Sequence, residues 1–233
     1  MRISAVRNIL LLFTAFVLPT ALLGQNLNPR VSLFASSSVL KGDRDFVVDG
    51  DQFRSQFITG GRIGVRGTID LTNHWSIETT YLFGTNNLQV TQLSTTGQVR
   101  DFGVRQHQLT ANLLHFFNGS RNRVRFFVDG GLGLSRFSPT DAAIAAASVK
   151  FIDESAVISS DNKFNFNYGG GVESRFTNRL GMRLYVRDHM VGMPRFGVPE
   201  TPQGTGSDFF PVNGLTHNIE MSVGTVFYLA SPR

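Results

Sequence analysis

Between Gly60 and Ile69, Arg62 and Arg66 fall on one parity of the chain, while Ile63, Val65 and Ile69 fall on the other. The same split recurs around Glu78, around Glu173 and Arg175, around Arg183 and Arg187, and around Glu220. Successive strand side chains point to opposite faces, so this pattern prescribes a sheet with one apolar face and one charged, crowded face. Either face could look inward. The rest of the sequence decides which one does.

The chain opens with a processing segment. Arg2 and Arg7 are followed by an apolar run from Ile9 to Val17, a break at Pro19 and small residues at Ala21 and Gly24. Residues 1–24 therefore read as a secretory signal peptide, since the run is shorter than the ~20 residues a spanning helix needs. The chain has no Cys, which removes both a lipid-anchored Cys and a disulfide framework. Residues 25–233 form one domain, and losing Arg2 and Arg7 lowers the net charge from +5 to +3. That excess is too small to imply an anionic partner. Of the 22 basic residues only Lys41, Lys150 and Lys163 are Lys, and Arg favours fixed bidentate pairing with carboxylates.

Eight segments carry strand character: 30–41, 56–69, 75–86, 104–117, 124–137, 163–176, 180–190 and 215–229. Their lengths suit membrane-spanning strands with some extension beyond the bilayer. The connections alternate. Residues 42–55, 87–103, 138–162 and 191–214 are long, whereas 70–74, 118–123 and 177–179 are short, with Asp70, Asn73, Asn118, Gly119 and Asn178 supplying turn chemistry. This predicts an all-β fold, an eight-stranded antiparallel up-and-down transmembrane barrel with a polar interior.

Aromatic residues on the apolar parity cluster toward strand ends. Trp75, Phe117, Phe176 and Phe227 lie by the short turns, and Phe57, Tyr81, Phe83 and Phe164 lie toward the loops. Two aromatic girdles bounding an aliphatic band suit a bilayer. Glycines at 60, 64, 131, 133, 169, 171 and 224 interleave with the charged set, making room for long Arg side chains inside a narrow barrel. A turn centred on Thr72 would set Arg66 opposite Glu78, and one centred on Asn178 sets Glu173 opposite Arg183. The expected interior ionic network is Arg62, Arg66, Glu78, Asp129, Glu173, Arg175, Arg183, Arg187 and Glu220.

The last strand places Ser222, Gly224, Phe227 and Leu229 at the offsets of a bacterial outer-membrane assembly signal. With this strand, the runs Phe126 to Leu134, Tyr168 to Glu173 and Gly181 to Asp188 resemble the small outer-membrane β-barrels of the OmpA-like transmembrane family, with OmpX and OmpW as looser relatives. The resemblance implies a polar-filled barrel with long external loops. It implies outer-membrane lipid, lipopolysaccharide and the barrel-assembly machinery as partners, and a monomer that binds no nucleic acid. It does not extend to a peptidoglycan-binding domain, for which no residues follow the barrel.

No catalytic, cofactor or metal site is expected. His74-Trp75-Ser76 has the His-x-Ser spacing of a lipid A deacylase but lies in a short turn, away from the outer leaflet. His107 or His189 with Asp188 would make a base site near the loops, the basis of an alternative reading as a lipid-modifying enzyme. Asp43, Asp45, Asp49 and Asp51 lack the full calcium-loop pattern, and Gly60 to Gly64 leads into a strand where a phosphate loop needs a helix. Ala142 to Ala147 suggests a short helical turn. The leading expectation is a structural or surface-interaction barrel, and a narrow pore is the other alternative.

Overall fold

The computed structural model describes residues 28–41, 44–48, 51–57, 60–92, 99–144, 159–197 and 215–230. The predicted signal peptide lies outside them. Ten strands are described: β1 (Pro29–Lys41), β2 (Arg44–Val48), β3 (Asp51–Phe57), β4 (Gly60–Asp70), β5 (Trp75–Gln92), β6 (Val99–Phe116), β7 (Val124–Pro139), β8 (Asp161–Arg175), β9 (Leu180–Gly192) and β10 (Leu215–Tyr228). Eight of them close a barrel in the circular order β1, β4, β5, β6, β7, β8, β9, β10, because β1 also pairs with β10 and β5 with β6. Every pairing is antiparallel. Closure leaves the wall without an unpaired edge.

The first predicted loop is itself structured. β2 and β3 pair as a hairpin within residues 42–57, and β3 continues along the loop end of β5. Phe57 thus belongs to this hairpin and not to the start of β4, and the second loop shortens because β5 and β6 pair out to Thr91 and Val99. A helical turn is described over residues 141–144, where the Ala143 amide donates to the Thr140 hydroxyl and the Ile144 amide to the Thr140 carbonyl; residues 145–147 of the expected turn lie outside the described residues.

Two of the short turns are chemically the same. In Leu71-Thr72-Asn73-His74 the amides of Leu71 and Thr72 donate to the Trp75 carbonyl at 2.8 and 3.1 Å. The Thr72 hydroxyl oxygen accepts from the amides of His74 at 3.2 Å and Trp75 at 3.0 Å. Phe176-Thr177-Asn178-Arg179 repeats this, with Phe176 and Thr177 donating to the Leu180 carbonyl at 2.9 and 3.0 Å. The Thr177 oxygen accepts from Arg179 at 3.2 Å and Leu180 at 3.0 Å. The threonine satisfies two amides at the point where the ladder ends. Both turns therefore centre on the asparagine, Asn73 or Asn178.

That centring corrects one register. Arg66 stands opposite Thr80, and Glu78 opposite Thr68, two residues from the expected pair; Glu173 does stand opposite Arg183. A shift of two keeps every side chain on its face. Asp70, expected in the turn, is the last residue of β4 and is buried.

The outer wall is apolar. Ile63, Ile77, Leu109, Leu113, Val128, Leu132, Leu184, Val186 and Val223 are each between 40% and 64% exposed, a coat that only lipid would cover favourably. Trp75, Phe117, Phe176 and Phe227 ring the turn end, while Tyr81 and Phe164 lie on the same face toward the loops.

Candidate functional site

The chemistry is concentrated inside the barrel. Arg62, Arg66, Glu78, Asp129, Glu173, Arg183, Arg187 and Glu220 all point inward and are at most 8% exposed. Arg183 on β9 donates from Nε to Glu173 at 3.0 Å, from Nη2 to the same oxygen, and from Nη1 to Glu78. Arg187, four residues further along the same face of β9, donates Nη2 to both Glu78 and Asp129 at 3.0 Å. Arg66 reaches Glu220 at 3.1 Å and lies 3.9 Å from Glu78. Glu78 also accepts from the hydroxyls of Thr68 and Thr80. Glu78, Glu173 and Glu220 are thereby multiply paired, the condition under which buried charges are tolerated at all, whereas Asp129 meets Arg187 through Oδ2 alone.

Arg175 does not join this network. It is half-buried at the turn-side mouth, donates to the Arg121 carbonyl at 3.2 Å and lies 5.9 Å from the Tyr228 ring. Its parity is inward, but the last residue of a strand faces the open end of the lumen. Other residues take its place. Arg30 bonds Asp70 at 2.8 Å and lies 3.5 Å from Glu173, Arg125 lies 3.7 Å from Asp70, and the Tyr228 hydroxyl donates to Glu173 at 3.0 Å.

The interior is also less uniformly polar than expected. Leu114, Phe116, Phe127 and Tyr185 form a buried cluster. Guanidinium groups stack on these rings: Arg125 lies 3.6 Å from the Phe116 centroid, Arg183 4.9 Å from Phe127, and Arg187 4.4 Å from Tyr185. The flat, weakly hydrated guanidinium accepts a ring on its face while its edge bonds carboxylates. Arg66 stacks 3.5 Å from the Phe34 centroid, and Phe34 stands between Gly64 and Gly224 on its two neighbouring strands. A Cβ at Gly64 would come within 2.3 Å of Phe34, so only glycine leaves space for that ring.

Toward the loops the lining changes from charged to amide and hydroxyl. Gln106 accepts from Arg62 at 2.6 Å, and the Asn218 oxygen, once turned to its donors, accepts from Arg62 at 2.7 and 2.8 Å. His189 lies between Gln108, 2.6 Å away, and Glu220 at 3.2 Å.

The histidines do not converge on a catalytic arrangement. His189 points inward, while its neighbour Asp188 points outward to His217 at 2.7 Å and to the Tyr168 hydroxyl at 3.0 Å. His107 lies on the outer wall beside the Tyr81 hydroxyl at 2.8 Å. At the turn end, His74 contacts the Phe116 carbonyl at 2.9 Å, and the Ser76 hydroxyl is committed to Asp70 at 2.5 Å. Among the described residues no three His, Asp or Glu side chains are grouped to hold a metal. Asp43 and Asp49 lie outside the described residues, as do the side chains of Asp45 and Asp51.

The comparisons with known proteins agree with this geometry. The outer membrane protein beta-barrel domain family matches residues 9–222. The outer membrane protein OprG of Pseudomonas aeruginosa superposes with a TM-score of 0.57 at 12% identity, over 88% of this chain and 97% of that one. The Neisserial surface protein A gives 0.50 at 10% identity, over 87% of this chain and 99% of its own. At such identities the likeness concerns the fold. No curated protein matches the chain.

Proposed function

The chain belongs to the outer membrane protein beta-barrel domain family and lies in the bacterial outer membrane, and on that footing we propose that it is a closed, non-catalytic barrel. It contributes to envelope integrity and holds its loop-side structures, the β2–β3 hairpin among them, at the cell surface. One observation carries this reading. Glu78 on β5 and Arg183 and Arg187 on β9 are bonded although their strands stand four places apart in an eight-strand ring, on opposite sides of the lumen. Those bonds cross the bore, and the aromatic cluster fills the space beside them. A solvated ion would have to part several charge-assisted hydrogen bonds to pass.

In the same proposal the barrel is a monomer inserted by the barrel-assembly machinery. Ser222 and Gly224 face inward on β10 while Phe227 and Leu229, at 39% and 65% exposure, face the membrane, so that a partner approaching from the lipid side meets the two apolar members.

Planar-bilayer recording of the full chain tests the closed lumen. The expected record is flat apart from brief small events, and a large, long-lived open state would establish a pore instead. Incubation with labelled outer-leaflet lipid tests the absence of catalysis, where turnover above that of a heat-unfolded sample would refute it.

A further inference from the structure

The outer wall of an outer-membrane barrel should exclude charge, and this one nearly does. Among the barrel-strand side chains described, the charged ones at outward positions are Arg105, Arg136 and Asp188. Asp188 is held by His217 and Tyr168. The two arginines are neighbours. Arg105 on β6 stands opposite Ser138 and Arg136 on β7 opposite His107, which makes them a diagonal pair on one face. Their neutralisation within the chain is slight: Arg105 has a solvent-exposed ion pair with Asp141 at 3.9 Å, and Arg136 has no ion pair among the described residues.

Their height is specific. Arg136 is ten residues beyond Phe126 on β7, and ~3.3 Å per residue at a tilt of about 40° lifts it about 25 Å above the turn-side girdle. That is the thickness of the apolar band, so the pair stands where the outer-leaflet headgroups begin. Directly below it the wall is apolar, with Leu134 and Phe164 facing each other across β7 and β8 at 60% exposure each. Two guanidinium forks above an apolar strip match an amphiphile with phosphate at its head and acyl chains beneath.

We propose that Arg105 and Arg136 form a docking site on the outer wall for the phosphate of a phosphorylated outer-leaflet glycolipid, the lipid A moiety, whose acyl chains lie along Leu134 and Phe164. The site rests on the outer-membrane location and is independent of the closed lumen. Its failure therefore leaves the conductance result untouched.

The test is a binding titration of the full folded chain in detergent with fluorescent bisphosphorylated lipid A, the dephosphorylated lipid, and inorganic phosphate as competitor. The Arg105→Gln/Arg136→Gln variant is expected to weaken binding of the phosphorylated lipid about tenfold and leave the dephosphorylated lipid unchanged. Arg121→Gln/Arg123→Gln removes the same charge at the turn end and is expected to bind as the unsubstituted chain does. Retained heat-modifiable migration on a gel shows that each variant is folded, and the two single Gln variants are read the same way should the double one not fold. Equal affinity for both lipids, an unaffected Arg105 and Arg136 variant, an equal loss in the turn-end control, or displacement by millimolar inorganic phosphate would each overturn the proposal.

Discussion

Glu173 and Arg183 stand directly opposite each other on β8 and β9, and one carboxylate oxygen accepts from both Nε and Nη2 of the guanidinium. The Nη1 of the same arginine goes to Glu78 on the far wall. Arg183 is thus the joint between a local cross-strand pair and a bridge over the lumen. Removing either acid leaves the arginine charged and buried with part of its bonding unmet, which is costlier than never having placed the pair.

Glu78→Ala should accordingly destabilise the barrel by about 3–5 kcal/mol, since Arg183, Arg187 and Arg66 all lose contact with a carboxylate. Asp45→Ala, on β2, which is not one of the eight strands that close the ring, serves as the comparison. Equilibrium unfolding by denaturant from lipid vesicles would measure both. Similar midpoints for the two variants would contradict a buried network that carries stability.

Tyr228→Phe removes the hydroxyl that donates to Glu173 and nothing else of size. A hydrogen bond to a buried charged group is worth about 1.5–3 kcal/mol, and the ring still packs, so the loss should fall in that range. A cycle with Glu173→Gln checks the assignment: the two effects should be strongly non-additive, and simple additivity would mean the hydroxyl acts on something else.

The paired turns give a prediction about folding from the shortest of motifs. Thr72→Val and Thr177→Val each delete the acceptor for two backbone amides at a hairpin end while keeping the side-chain volume. Each should cost about 1 kcal/mol, by nearly the same amount, and Thr→Ser at either site should restore most of it. Unequal losses in the unfolding midpoints would show that the two turns are not energetically equivalent despite their shared geometry.

The same turns mark the boundary of what could be read from sequence. Parity assigned Arg62, Glu78, Glu173, Arg183 and their fellows to one face because strand side chains alternate strictly, and the structure buries that face. Register was harder. Thr72-Asn73 and Thr177-Asn178 are one motif, and centring both on Asn would have set Glu78 opposite Thr68 at once. Where both parities are apolar, at Leu113-Leu114, Phe116-Phe117 and Phe126-Phe127, alternation carries no information, which is why the inward Phe116 and Phe127 escaped it. Arg30 was hidden because Ser36 to Ser38 blur the alternation of β1, and Asp70 by its resemblance to a turn residue. Arg175 shows the converse: the right parity at a strand terminus does not guarantee a place in the interior.

Trp75 offers a direct test of which face meets lipid. It is the only Trp in the chain, is 43% exposed on the outer wall, and begins β5 at the turn end. An indole at that height sits among headgroups with its ring toward the acyl chains. In vesicles of brominated lipids its fluorescence should be quenched more by bromines near the headgroup than by those near the terminal methyl. The reverse order, or no quenching, would contradict either the girdle or the outward apolar face.

A last prediction follows from the cost of charge at different depths on one wall. Leu132 faces outward at 52% exposure, opposite Ala111 and Phe166, and lies six residues above Phe126 on β7. At about 2.5 Å of height per residue of tilted strand, that is about 15 Å from the girdle, close to the bilayer midplane. Leu132→Arg should cost about 2–4 kcal/mol of folding stability in vesicles. Leu180→Arg, on the same face but at the turn-end rim of β9, should cost about 0–1 kcal/mol. A barrel with this wall in water would give neither loss, since the site itself is exposed and the arginine would meet solvent. The contrast between two depths therefore separates a membrane-embedded wall from a soluble one even if both variants fold more slowly than the unsubstituted chain.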